Sequence, residues 1–381
     1  MELAFIIYTL IFLFTLTFAF VGINAAQWRD DAGKSWKTWG YWSIAIVFYT
    51  LILGLREDVG LDYTSYKNVF INMVHSGGEL EGIDFIYYIF LPIVQGVHYN
   101  IFIAFLAFLV ILFIFLVFAD RSKILLFYLL IFFTLLPFFI SLNIMRQYAA
   151  MFIIFYAFNQ ILKSNYIGFF LSYLLAFVIH KSCLILFPFV FFLRVDFFKY
   201  TSIQYILLIV SFLYGSFIFE MISELLRVLS LPDFLSLYQQ QYVESFDFRT
   251  DRASEITEES KSTGFFPIFL TSITLVVILF SRKLKIKYEK YNFIFYYNLY
   301  FIGVIFSNIL SYNEGLDRLV QYFTFYRSYI FSIFLYYIFL DSEKKYFLVK
   351  VFLIFVIFIS LVFFYMVIYR GTMKISPFQF I

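Results

Sequence analysis

Four short polar stretches hold the side chains that could do chemistry in an otherwise apolar chain. The densest, Gly54-Leu55-Arg56-Glu57-Asp58-Val59-Gly60-Leu61-Asp62-Tyr63-Thr64-Ser65-Tyr66, packs Arg56, Glu57, Asp58 and Asp62 into seven positions. It is too polar for hydrocarbon, so it lies at a membrane surface or lines a wet cavity, and we read it as the entrance of an active site. The second stretch places Arg146 in the first turns of an apolar helix, where an arginine costs about 2.5–3.5 kcal/mol if central and calls for a partner or a cavity. Asn143, Ala149 and Ala150 share its side at helical spacing, and the two alanines leave room for a ligand. The third is His180-Lys181, an imidazole able to accept a proton beside an ammonium that would draw an anion towards it. The fourth is a stripe of Arg318, Gln321, Tyr322 and Phe325, polar where a lipid-facing helix would be apolar.

Each of these has a plainer alternative. Arg146 could snorkel to the headgroups, and His180-Lys181 could mark the end of a helix. Asp62 suits the N-cap of a helix starting at Tyr63 with Gly60 as the preceding turn, and it could serve in the site as well. Asp58 and Arg56 could pair at the surface. Tyr63 and Tyr66 could be interfacial aromatics or a stacking platform for a sugar ring. Taken together, three separated arginines, a histidine and several carboxylates on one face suggest a site for an anionic, lipid-borne substrate.

The elements that must position these groups follow from composition. A 381-residue chain that is 63% hydrophobic and 14% charged, with 59 Phe and 32 Tyr, has too little polar surface for a soluble globule. Its mean hydropathy of +0.88 marks an all-α polytopic membrane protein. The net charge of +3 is spread over loops, which argues against nucleic-acid binding and leaves membrane lipids and lipid-linked molecules as partners. Cys183 is the one cysteine, so no internal disulfide forms, and His75, His98 and His180 make no zinc-protease pattern. The first apolar run follows Met1-Glu2 without a basic region or cleavage site and is expected to be retained as a helix.

Apolar windows at roughly 3–23, 38–55, 99–119, 124–140, 143–162, 166–180, 183–195, 202–219, 265–281, 291–311, 319–340 and 346–369 predict about twelve crossings. The run 84–97 is too short and interrupted, and is assigned to the interface. Threaded alternately, Arg29, Lys34, Lys37, 121–123, Lys163, 194–199, 282–290 and 344–345 fall on one side, which the positive-inside rule makes cytoplasmic. The opposite side receives loops at about 56–98 and 221–264, the latter net acidic. No internal repeat or Gly/Ser linker is present, so a single integral membrane domain over 1–381 is expected.

Gly54-Leu55-Arg56 through Gly60, Asp62-Tyr63, Tyr66, Asn143 to Arg146-Gln147 and a helix ending in His180-Lys181-Ser182 resemble the EpsG-like group of Wzy-type polysaccharide polymerases. The likeness covers the first half well and rests on Arg318, Tyr322 and the long outer loop in the second. It implies a GT-C-like glycosyltransferase bundle in the cytoplasmic (inner) membrane that joins oligosaccharide repeat units carried on undecaprenyl diphosphate, with a flippase and a chain-length regulator as partners. By that likeness Arg56, Asp62, Tyr63, Arg146, His180 and Arg318 are family-type positions. Combined with the residue chemistry, Arg146, His180, Asp62 and Arg318 are the expected catalytic set. Arg56, Asp58, Tyr63, Tyr66, Asn143, Lys181, Gln321 and Tyr322 are the expected substrate-binding set. No DxD-like pair stands near a histidine, so neither a metal nor another cofactor is expected. An O-antigen-ligase-like enzyme shares the arginine logic. A transporter is disfavoured by six prolines and by polar residues crowded at one face.

Overall fold

A computed structural model describes residues 2–75, 84–228, 265–310, 314–342 and 346–380. Most of the expected outer loop at 221–264, and 76–83 of the loop at 56–98, lie outside the described residues. The described chain is helical: α1 (Glu2–Ala25), α2 (Trp36–Gly54), α3 (Tyr63–His75), α4 (Phe85–Gly96), α5 (Asn100–Phe118), α6 (Ser122–Thr134), α7 (Pro137–Asn143), α8 (Met145–Leu162) and α9 (Tyr166–Ile179) precede a 3-10 segment, Lys181–Phe192. Then come α10 (Thr201–Val228), α11 (Phe265–Lys287), α12 (Phe293–Leu310), α13 (Glu314–Thr324), α14 (Arg327–Tyr336) and α15 (Phe347–Arg370).

The expectation of twelve crossings is corrected. Among the described residues seven helices are long and apolar enough to span a membrane, or eight if the bent pair α6–α7 is one span. The reasons are local. The window 124–140 is broken by Leu136, at φ +73°, and Pro137, which bend α6 from α7 by 62°. In α2, Trp36, Lys37, Trp39 and Trp42 dilute an otherwise apolar helix of adequate length, and in α8 Arg146, Gln147, Asn159 and Gln160 do the same. The window 166–180 stops at 14 residues, its start capped by Asn165 accepting from the Gly168 amide. The window 183–195 contains Pro188 and winds as a 3-10 helix. The run 84–97, assigned to the interface, is the short helix α4.

The chain clusters into two compact units, residues 1–191 with 331–381, and residues 192–330. In the first, α8 is the buried axis: between Met145 and Gln160 only Arg146 and Tyr156 keep partial exposure. Phe132, Phe133, Phe138, Phe139 and Phe152 pack with Tyr8, Phe12 and Phe364 into an aromatic core. Polar groups collect at the two ends of α8. At its C-terminal end Arg121, 2% exposed, donates to Asn159 Oδ1 at 2.6 Å, and Lys163 pairs with Asp120 at 2.5 Å. Ser122 Oγ there donates to the Arg29 carbonyl at 2.7 Å, and Lys123 lies 3.6 Å from Asp30. Arg146 stands about 20 Å away along the helix, at the other end.

In the second unit Lys285 pairs with Asp196 at 2.6 Å and donates to the Phe198 carbonyl, and Asn298 donates to the Val195 carbonyl. The basic loops at 194–199 and 282–290 therefore share one end of this unit. Tyr297 and Tyr300 are buried with their hydroxyls on Gln204 and Thr274, so no phenol hydroxyl of this pair is left unsatisfied in the interior.

The loop between α2 and α3 runs against the α7–α8 junction. Gly60 there has φ +100°, and a Cβ at this position would sit 2.8 Å from the Leu142 carbonyl oxygen. Gly60→Ala is expected to cost about 1–3 kcal/mol through strain and that contact, which a thermal melt of the purified protein in detergent would measure. A melt unchanged from wild type would mean the loop is free to move away.

Candidate functional site

Asp84 stands at the N-cap of α4, at φ −71° and ψ 144°, but its carboxylate caps nothing. Serine, threonine, asparagine and aspartate at such positions usually accept from the first-turn amides. Here Oδ2 instead forms an ion pair with Arg146 Nη1 and lies 3.2 Å from His180 Nδ1, while Oδ1 accepts the Lys181 amide at 3.3 Å. Three elements deliver these partners. Arg146 is the second residue of α8, and His180 closes α9, its φ of −157° ending the helix. Lys181 opens the 3-10 segment. The side chains of Asp84, His180 and Arg146 are 11%, 12% and 21% exposed, a group sheltered yet open to solvent.

Aromatic rings complete the setting of Arg146. Its guanidinium carbon lies 4.7 Å from the Tyr87 ring centre and 5.5 Å from that of Tyr66, both rings being buried. Lys181 Nζ lies 5.6 Å from the Phe85 ring centre. Burial by itself would raise the Asp84 carboxyl; the hydrogen bond to His180 and the charges of Arg146 and His180 outweigh it and hold the carboxyl below its ordinary value.

A carboxyl depressed in the folded protein stabilises the fold at pH values above its unfolded pKa, and that contribution disappears as pH falls through the lower folded value. The melting temperatures of wild type and Asp84→Asn are therefore expected to differ at neutral pH and to converge below pH 3.8, the ordinary carboxyl value. A gap that persists at low pH would show that Asp84 stabilises by packing alone.

The structure thus brings together Arg146, His180 and Lys181, with the Tyr66 ring against Arg146. The other expected residues of the first unit are placed beside this group. Asn143 Oδ1 accepts from the Leu61 amide, its Nδ2 donates to the Phe139 carbonyl at 3.1 Å, and its own carbonyl accepts from the Tyr66 hydroxyl at 3.1 Å. Tyr63 is buried and donates to Asn100 Oδ1 at 3.1 Å, and Asn100 in turn donates to the Gly54 and Arg56 carbonyls. Asp62 is 9% exposed and precedes α3, where the sequence puts an N-cap.

A surface pair between Arg56 and Asp58 does not form. Arg56 is fully buried, whereas Asp58 is exposed and pairs with Lys374 at 2.6 Å. In the second unit Gln321 Nε2 donates to Asp317 at 3.2 Å, Tyr322 is fully buried and Arg318 is partly exposed on α13.

Sequence reasoning missed Asp84, Tyr87, Asn100 and Lys374. For Asp84 a signal exists: a lone acid directly before the apolar run Phe85-Ile86-Tyr87-Tyr88-Ile89-Phe90 is an N-cap signature that ties the residue to a helix start.

Chemically, the arrangement offers a guanidinium in an aromatic cradle to an anion. It also offers an imidazole whose Nδ1 faces a carboxylate that can orient it and balance an added proton. Compared with known proteins, a family model described as the EpsG family matches residues 39–380. No curated protein and no solved structure matches the chain.

Proposed function

The chain belongs to the EpsG family, and we propose that it is a membrane glycosyltransferase that lengthens a polysaccharide from repeat units carried on undecaprenyl diphosphate. The family supports a polymerase of the polysaccharide-biosynthesis type, and the helices support a multi-pass membrane protein. The observation that carries the finer reading is Asp84 held between Arg146 and His180 at one end of α8. A cation for a phosphate stands beside a base for a hydroxyl, which is what displacement of a lipid diphosphate by a sugar hydroxyl requires.

In the reaction we propose, a hydroxyl of the incoming repeat unit attacks the anomeric carbon of the growing chain, and the bond from that carbon to the diphosphate oxygen breaks. The hydroxyl proton passes to His180 Nε2, and the electron pair of the broken bond leaves on undecaprenyl diphosphate. Arg146 stabilises the negative charge that develops there, and Lys181 adds a second cation at the same end. Asp84 fixes the imidazole and balances the imidazolium. Asp62 is kept as an alternative base, and Tyr66 keeps its ring 5.5 Å from the Arg146 guanidinium. The basic end of α8, with Arg121, Lys123 and Lys163, fits the cytoplasmic side under the positive-inside rule, and this supports reading the Arg146 end as the outer one. For Arg318, Gln321 and Tyr322 of α13 a part in handling the substrate is proposed from the sequence stripe and the family likeness alone.

The length distribution of surface polysaccharide in a strain lacking the gene tests this directly. Collapse to single repeat units is expected. Full-length chains that fail to become attached would indicate a ligase instead, and an unchanged distribution would refute the proposal.

A further inference from the structure

Arg56 carries a charge that the chemistry above does not use. It is 0% exposed, and among the described residues no carboxylate pairs with it. Its Nη2 donates to the Leu142 carbonyl at 2.8 Å and lies 2.9 Å from Met145 Sδ, while Nε and Nη1 have no hydrogen-bond partner among the described residues. Leu142 is in the last turn of α7, where helix carbonyls lack an amide from their own helix, and Met145 is the first residue of α8. One guanidinium therefore grips both sides of the break at Ile144, two residues before Arg146.

The same junction is held by neighbours of Arg56. Asn143 accepts from the Leu61 amide and from Tyr66 through its backbone carbonyl, and Gly60 lies against the Leu142 carbonyl with no room for a side chain. From the other side a strap following α15 closes over Arg56. Phe380 bridges to Arg56 in antiparallel fashion, the Glu57 amide donates to the Gln379 carbonyl at 2.9 Å, and the Gly60 amide donates to the Lys374 carbonyl at 2.8 Å. Ile375 and Phe378 are buried in the strap, and Tyr8 donates to the Ile375 carbonyl at 2.9 Å. A guanidinium walled in on these sides cannot meet a diphosphate without dismantling the loop, the junction and the strap together.

We propose that Arg56 is a positioning residue that sets the turn between α7 and α8 and so aims Arg146, without touching the substrate. This assignment replaces the direct substrate contact expected from sequence, and it rests on the reading that Arg146 holds the diphosphate of a lipid-linked donor. If Arg56 acts only through Arg146, its removal has no further effect once Arg146 is gone.

The test is binding of undecaprenyl diphosphate to the purified full chain in nanodiscs, for wild type, Arg56→Met, Arg146→Ala and the double variant. Arg146→Ala is expected to weaken binding about 100-fold, Arg56→Met to weaken it by less, and the double variant to match Arg146→Ala within about twofold. A double variant tenfold weaker than Arg146→Ala would mean that Arg56 meets the phosphate itself and would overturn the proposal. Hydrogen exchange at the amides of residues 144–148 reads the clamp without ligand. Faster exchange in Arg56→Met is expected, and unchanged exchange overturns the clamp. Should Arg56→Met not fold, Arg56→Lys takes its place in the same cycle. Equal binding by wild type and Arg146→Ala would refute the diphosphate reading, with the exchange measurement still deciding the clamp.

Discussion

Arg146→Ala is expected to lower the rate of chain extension by about 10²–10³-fold, with the protein still inserted in the membrane at normal amounts. The size follows from where the charge sits. A guanidinium already held by Asp84 and by the Tyr66 and Tyr87 rings need not reorganise when the leaving diphosphate gains charge, and in a sheltered site each such contact is worth more than in water. Because Arg146 is one of two partly exposed side chains between Met145 and Gln160, its loss leaves the buried faces of α8 intact. The measurement is polymer length and initial rate with a lipid-linked repeat unit in membranes containing equal protein. Long chains made at the wild-type rate would remove Arg146 from the site.

Asp84→Ala is expected to be nearly as damaging, with a loss of about 10²-fold or more in rate and a lower melting temperature. Two effects add. His180 loses the acceptor 3.2 Å from its Nδ1, and with it a contact that orients the ring and its proton-accepting nitrogen. Arg146 loses its counter-charge in a site where the groups are at most 21% exposed, and breaking such a pair by removing one partner costs more than the pair contributes. Asp84→Asn separates the two. The amide keeps shape and some hydrogen bonding but no charge, so it should recover stability more than rate. The comparison requires melting curves and rates for both variants, and full activity in Asp84→Asn would reduce Asp84 to a structural ligand of Arg146.

Much of this was legible in the sequence, and what was not has physical causes. Arg146, His180 and Lys181 stood out because a charge inside an apolar run has few bland explanations, and the structure sets all three around one carboxylate. The start of α3 after Asp62 and the end of α9 at His180 were readable from cap chemistry. Asp84 was not, because an acid before a helix is commonplace, and its partners lie 62 and 96 residues further along, a pairing set by the packing of α4, α8 and α9. Arg56 was legible as a charge, whereas its enclosure by the α7–α8 junction and the strap is visible only in the structure. The number of crossings was overestimated for a related reason: hydropathy registers that 124–140 is apolar, while the bend at Leu136 and Pro137 is a matter of backbone angles.

The strap that covers Arg56 reaches back across most of the chain, from Lys374 to Asp58 and from Ile375 to Tyr8. Contacts of such long sequence separation close late and slowly. During synthesis, α1 to α9 can be made while the loop beneath the strap stays uncovered, and it is finished only once α15 and the strap have been added. An intermediate halted before that point would carry every residue of the Arg146 group and still lack the strap that closes over Arg56.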